Sequence, residues 1–314
     1  MRTKRINIST SNLDKLELNW WNQNALLIEK IWALNYDMQK LIRLPYLSKM
    51  KKFFLKGRKD KHVNILEIGC GSGWVCRLVA DESFKVLGTD FSEEQLEIAK
   101  KQAVLNNKSK YCSYELADAS TFEKDFDGIV IHALLHHLST IELNVFFSKL
   151  CKIKTGSKVY MYEPVFMKPL IGGPSFKDKI LNKIITKLKL FSINKAKKIG
   201  ELDTTLQSSV ENLYKEARAN GWYLSPKEVP FYEDELFDYL QPLFYIEKKY
   251  VVNRTDLDIV QALMLNKIEK PNFLFSKLLI PISIWLDAIA FKGNYSNYIQ
   301  PLQHQFVCLE LIRK

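Results

Sequence analysis

A chain of 314 residues with 47% apolar content has enough material for one large domain with insertions around a real core, which excludes a disordered or fibrous protein. Its 46 lysines and arginines outnumber 35 acidic residues, and the net charge of +11 favours anionic surroundings: nucleic acid, phosphorylated ligands or an acidic membrane face. Five cysteines with no C-x-x-C pair exclude a disulfide framework, structural zinc and iron–sulfur clusters, and a reducing, cytoplasmic compartment fits them best.

The basic start, Met1 to Arg5, has no apolar signal core behind it, so secretion is not expected. Residues 13–56 read as helical, because Leu13, Leu16, Trp20, Leu27, Ile31, Leu34 and Met38 recur at three- and four-residue steps. Pro45 breaks the stretch before a second, basic helix at Ser48 to Lys56. The region is rich in aromatics (Trp20, Trp21, Trp32, Tyr36), as a helix packed on a sheet or a cap over a pocket would be.

From residue 63 the chain alternates. Val63 to Ile68 is a short apolar run of buried-strand type. Gly69, Gly71 and Gly73 make a turn, and Trp74 to Ala80 opens a helix. Strand, glycine turn and helix is the arrangement that turns backbone N–H groups toward a nucleotide-like ligand. The spacing is G-x-G-x-G. A dinucleotide fingerprint would need glycine where Trp74 stands, so a nicotinamide cofactor is disfavoured. Glu67 is a carboxylate inside the strand, which is costly without a cationic or donor partner; a ligand amino group would supply one.

Lys85 to Thr89 is the second strand and ends at Asp90. Ser92 caps the helix after it, which runs to about Asn106. Tyr111 to Leu116 is the third strand, followed by Ala117, Asp118 and Ala119. Phe126 to Ile131 is the fourth, Ile141 to Cys151 the next helix, and Ser157 to Tyr162 the fifth strand, ending in Glu163 and Pro164. Such alternation predicts a doubly wound α/β sheet with helices on both faces.

After Pro164 the rhythm is lost until Leu243. Pro169, Gly172, Gly173 and Pro174 mark a loop. Residues 177–198 form a basic amphipathic segment that reads as a solvated face, a lid or a helix on an anionic membrane, and a further helix runs from Thr204 to Ala219. Leu243 to Val252 and Gln305 to Ile312 are the sixth and seventh strands. Between them Phe273 to Phe291 is apolar but interrupted by Lys277, Pro281 and Asp287. It reads as a pocket or interface helix before a monotopic membrane contact, and least of all as a span.

The stretch Leu66-Glu67-Ile68-Gly69-Cys70-Gly71-Ser72-Gly73 resembles motif I of the class I S-adenosylmethionine-dependent methyltransferases. A second stretch, Phe126-Asp127, an apolar strand, then Leu135-His136-His137-Leu138, resembles the small-molecule branch related to the ubiquinone and sterol methyltransferases. The resemblance covers residues 60–165 and does not reach the insertions. It implies a Rossmann-like seven-stranded sheet, parallel with one antiparallel strand, and S-adenosylmethionine as donor. The expected organisation is a helical cap over 1–58, a cofactor-binding core over 59–164, a helical insertion over 165–242, and 243–314 carrying the last strands around a second insertion, 253–303.

In such a sheet, ligands bind outside the carboxyl ends of the strands. The expected cofactor contacts are Glu67, Gly69, Cys70, Gly71 and Gly73 at the turn, Asp90 on the ribose hydroxyls, Phe91 against the adenine, and Asp118 with Ala119 at the adenine edge. His132 stands where the sulfonium and methyl would lie, and Tyr36 is a further candidate contact. If the acceptor is a hydroxyl, a base must take its proton. The candidates are His136, His132 and Glu163, while His137 reads as a packed histidine. The expected acceptor is a small molecule, a glycan or a lipid-linked molecule methylated at oxygen, with peripheral membrane contact as a further expectation. No Asn- or Asp-Pro-Pro-aromatic motif for nucleic-acid amino groups is present. An RNA methyltransferase, favoured by net charge, and a non-catalytic cofactor-binding protein are the competing readings.

Overall fold

The computed structural model describes residues 11–32, 47–122, 126–166, 176–252, 255–293 and 305–314. Tyr36 and the 169–174 loop lie outside them.

The centre is a sheet that follows the expected alternation. Strands β1 (Val63–Ile68), β2 (Phe84–Asp90), β3 (Cys112–Leu116), β4 (Gly128–His132) and β5 (Lys158–Phe166) run parallel in the order β3-β2-β1-β4-β5. Beyond β5 come β8 (Gln305–Arg313) and then β7 (Phe244–Val252). β8 is antiparallel to both neighbours, the one reversed strand expected. A two-residue strand not anticipated from sequence, β6 (Phe231–Tyr232), pairs parallel with the end of β5 and brings the count to eight. β5 itself runs four residues past Tyr162, because β8 and β6 continue to pair with it. Glu163 therefore sits within a strand rather than at its end.

One face of the sheet is covered by α2 (residues 47–55), α3 (Trp74–Val79) and α4 (Glu93–Leu105), with Met50, Phe53, Phe54, Val75, Val79 and Leu96 buried against it. The other is covered by α5 (Thr140–Leu150) and α8 (Glu233–Leu240), through Leu143, Phe146, Leu150, Leu236 and Leu240. Local chemistry starts α4 and α5, while α8 was not anticipated from sequence. The Ser92 hydroxyl accepts from Gln95 N–H at the start of α4. Ser139 and Glu142 form a reciprocal capping box at the start of α5.

The remaining helices form two further layers. α1 (Ser11–Trp32) packs through Trp20 and Ile28 on Leu213 of α7 (Thr204–Ala219). α6 (Phe176–Ile199), α9 (Thr255–Leu265), a π-helical segment (Leu274–Leu279) and α10 (Ile280–Gly293) build their own small core around Ala196, Ile259, Leu263, Phe275 and Ile280. α10 lies along β7. Among the described residues, no helix is long and apolar enough to cross a membrane.

Candidate active site

The glycine turn between β1 and α3 is held in a left-handed conformation, with φ of 69°, 52° and 70° at Gly69, Gly71 and Gly73. The surroundings separate their roles. A Cβ at Gly69 would come within 2.6 Å of Leu134, and one at Gly73 within 2.5 Å of the Tyr114 ring, so these two are also glycines for packing. At Gly71 the nearest atom would be Gln95 Oε1 at 3.8 Å, which leaves room for a ligand to approach the backbone.

Asp90 ties this turn to the end of β2. Its Oδ2 accepts from Gly71 N–H at 2.8 Å and its Oδ1 from Ser92 N–H at 3.0 Å. Burial pushes its pKa above the usual carboxylate range, and the bonds from Ser92 and Gly71 oppose the shift. Each oxygen keeps acceptor capacity beyond its backbone partner, as a grip on ribose hydroxyls requires. Beside it, Gln95 is 1% exposed and neither its amide nitrogen nor its oxygen has a partner. A buried amide in that state is costly. Phe91, next after Asp90 in the chain, is exposed. Asp118 is exposed at the end of β3 and accepts from the Ser120 N–H and hydroxyl at 2.8 and 2.6 Å. Ala119 follows it, half-buried.

Glu67 is buried, and its partner is a protein group. The Cys76 thiol of α3 donates to Oε2 at 2.8 Å, and burial lifts the Glu67 pKa to about 8. Cys70 is buried close by, its thiol pKa pushed up to about 11 by the same desolvation. α1 lies across this end. Asn22 accepts from the Ser92 hydroxyl at 2.7 Å, and Glu29 pairs at 3.4 Å with Arg77, a buried guanidinium that also donates to the Ser72 carbonyl of the turn.

The second half of the cleft is the turn after β4. Glu163 reaches it from β5. Its Oε1 accepts from the N–H groups of Leu134 at 2.9 Å and Leu135 at 2.8 Å, and its Oε2 meets His136 Nδ1 at 2.8 Å. Fully buried, Glu163 has its pKa raised to about 7 despite these donors. On the other side of the ring, His136 Nε2 is 3.8 Å from Glu228, another carboxylate that burial lifts to about 7. His137 turns the opposite way. Its Nδ1 lies 3.1 Å from both Glu17 of α1 and the Ser225 hydroxyl. Burial opposes charge on this imidazole, but the Glu17 bond and field outweigh it and raise its pKa. Glu17 is buried too, yet bonds from His137, Lys227 N–H and Trp21 hold its pKa below the usual value. His132, at the end of β4, stacks on Tyr162 at 4.5 Å and meets the edge of Trp74 at 4.7 Å.

Residues 65–154 match a family model described as a methyltransferase domain. A ubiquinone biosynthesis O-methyltransferase of Coxiella burnetii is 30% identical over 166 residues, covering 49% of this chain and 63% of that protein. Its namesake from Mesorhizobium japonicum is 29% identical over 134 residues, covering 41% and 52%. The chain thus spans between half and two thirds of the length of these relatives. A Haemonchus contortus phosphoethanolamine N-methyltransferase 2 superposes with a TM-score of 0.51 at 16% identity, over 96% of this chain and 60% of that one. A Streptomyces coelicolor geranyl diphosphate C-methyltransferase does so at 0.50 and 11% identity, over 98% and 99%. Both likenesses concern the fold alone. Residues 65–154 carry a methyltransferase domain similar in sequence to those of the ubiquinone biosynthesis O-methyltransferases.

Within this methyltransferase domain the expected residues divide into two groups. Glu67, Gly69, Cys70, Gly71, Gly73, Asp90 and Phe91 are gathered at the glycine turn and the end of β2, with Asp118 and Ala119 past the neighbouring end of β3. His132, His136 and Glu163 gather on the β4–β5 side, in contact with that turn through Leu134. Sequence reasoning missed Glu17, Ser225, Lys227 and Glu228, which close the histidine turn from outside the 60–165 stretch. It also missed Gln95 and Cys76. For Cys76 a signal existed: a cysteine near the start of the helix that follows the strand carboxylate. For the others no local pattern marks the residue.

Proposed function

We propose that this chain transfers a methyl group from S-adenosylmethionine to an oxygen of a small acceptor. The observation that carries the reading is the juxtaposition of a preformed nucleoside cradle (Gly71, Asp90, Gln95) with a buried histidine–carboxylate pair, His136 and Glu163, one turn away. The donor carries its methyl on a sulfonium and needs no further activation. Asp90 holds the ribose hydroxyls, Phe91 lies on the adenine, and the orphaned Gln95 amide takes a donor or acceptor of the ligand beside Gly71. His132, fixed between Tyr162 and Trp74, lines the transfer site.

The protein must align acceptor and methyl, exclude water and remove the acceptor proton. Glu163 accepts the Nδ1 proton of His136 and so fixes the tautomer that leaves Nε2 basic. Nε2 then takes the hydroxyl proton, and the nearby Glu228 stabilises the imidazolium that forms. α1 covers the cleft through Asn22, Glu29 and Glu17. The names of the matching relatives, O-methyltransferases of ubiquinone biosynthesis, favour a small hydroxylated acceptor over RNA. The helical segments that follow β5 and β7 supply the acceptor pocket.

Calorimetric titration with S-adenosylmethionine and S-adenosylhomocysteine, with NADH as control, tests the cofactor. Saturable binding of the first two alone is the expected result. Binding of neither by folded protein refutes the assignment. Transfer of label from the methyl donor to phenolic and catecholic acceptors tests the reaction type.

A further inference from the structure

The α6–α9–α10 unit carries an exposed surface outside the cofactor cleft described above. On α6, Phe176, Ile180, Ile184 and Phe191 are 77%, 45%, 47% and 50% exposed. Steps of four, four and seven residues put them on one helical face. On the adjoining π-helical segment and α10, Phe273, Leu278, Ile282 and Trp285 are also exposed, Phe273 at 79% and Trp285 at 62%. Ile185 of α6 and Leu286 of α10 pack together in the seam between the two helices, which fixes them side by side. Eight large apolar side chains are thus exposed on adjoining elements of one helical unit.

Its charge is as one-sided as its apolarity. α6 carries eight lysines against one carboxylate, Asp178, so most of the chain's net charge of +11 sits on this helix. Lys189 pairs with Asp258, and it is the one α6 lysine with an ion pair among the described residues. Lys183 and Lys187 lie on the same face as the apolar stripe, with Lys177 and Lys179 at its flanks.

We propose that this face docks on an anionic phospholipid bilayer, with α6 and α10 lying in the interface plane. Three arguments favour that occupant. Lysines interleaved with large apolar side chains suit a boundary where stems and rings enter the acyl edge while ammonium groups reach phosphates. The exposed rings of Phe273 and Trp285 suit the headgroup level. A second copy would set the same lysines against each other, a repulsion an isologous interface does not tolerate. The inference is independent of which molecule is methylated.

The test is co-sedimentation of the full chain with vesicles of phosphatidylcholine alone and of phosphatidylcholine with about one-third phosphatidylglycerol. Partition into the anionic vesicles should be at least about tenfold stronger and should fall several-fold as salt is raised, since the attraction is screened. The pair Phe273→Ser and Trp285→Ser should cut binding about tenfold at every salt concentration by removing buried apolar area. Lys183→Glu with Lys187→Glu should reduce anionic binding to the neutral-vesicle level while thermal unfolding and cofactor titration stay unchanged. Equal partition into both vesicle types, or none into the anionic ones, overturns the proposal. So does a concentration-dependent dimer in sedimentation velocity that Trp285→Ser abolishes, because the face would then belong to a second copy.

Discussion

The two halves of the cleft neutralise buried carboxylates by different means. At the glycine turn, Asp90 is satisfied by backbone N–H groups, Gly71 19 residues before it and Ser92 two after it. At the histidine turn, Glu17 is balanced mainly by side chains, His137, Trp21 and Ser225, the last of them 208 residues away, and Glu228 lies 3.8 Å from His136 Nε2. Backbone donors belong to the fold and stay in place whatever ligand enters. Side-chain donors exchange protons and depend on three separate segments arriving together. The first half is suited to holding a cofactor and the second to moving a proton. Glu163 stands between the two types, since it binds the Leu134 and Leu135 amides and a histidine at once.

The sharpest way to break this contrast is to remove Asp90. Asp90→Ala leaves the Gly71 and Ser92 amides without their acceptor and takes away the ribose grip. We expect cofactor affinity to fall about a hundredfold, on the order of 3 kcal/mol, with circular dichroism showing a folded protein. Unfolding with no separate effect on binding would move the site elsewhere. On the other side, Glu163→Gln should leave cofactor affinity within about threefold but lower kcat by roughly 10² or more, because the amide no longer fixes the basic tautomer of His136. If affinity falls and turnover per bound complex does not, Glu163 serves the turn and not the proton.

The pH dependence of stability sharpens the same contrast. Glu163 and Glu228 both have folded pKa values raised from 4.5 to about 7, and Glu67 to about 8. A carboxyl raised in the folded state binds more protons there than when unfolded. Its effect is stability lost as pH rises from the unfolded value to the folded one. Below pH 4.5 none of the three opposes folding. His137 acts in the same direction, since its raised pKa gives stability that fades as pH climbs through it. Glu17 opposes the trend only at the acid end, where its lowered pKa makes stability fall as pH drops. The thermal midpoint of the ligand-free protein should therefore peak near pH 5 and decline toward pH 8. Glu228→Gln should flatten the slope between about 4.5 and 7, a change on the order of 3 kcal/mol for the shift this residue carries. A profile unchanged by the substitution would mean that the fold does not raise the Glu228 pKa.

The same division explains what could be read from sequence. The positions of the strands along the chain rest on local periodicity and on turn chemistry such as Gly71 and Ser92, and both are visible in a short window. The Asp90 cradle is legible for the same reason. Glu17 is one acid among several on a charged helix, and nothing within α1 distinguishes it from Asp14, which stays at the surface on Lys227. Ser225 and Glu228 lie in a segment with no periodic pattern, so only the folded chain reveals that they close over the histidines. β6 was hidden because a two-residue strand has no period to detect. Glu67 is legible as a costly buried acid, and the fold adds a protein donor for it, the Cys76 thiol.

The smallest expected effect separates a helix cap from a lid. The Ser92 hydroxyl does two things: it accepts from Gln95 N–H to cap α4, and it donates to Asn22 of α1. Ser92→Ala removes both and should cost about 1 kcal/mol of stability, the usual worth of an N-cap. Asn22→Ala removes only the bond to α1 and should cost about half of that, because the Ser92 hydroxyl can turn to water. If α1 closes over the cofactor, Asn22→Ala should still raise the cofactor dissociation rate severalfold in a stopped-flow chase, with little change in the association rate. The double variant should then add nothing to the dissociation rate of Ser92→Ala, since both substitutions break one bond. Equal dissociation rates for wild type and Asn22→Ala would make α1 a packed helix of the fold rather than the cover of the site.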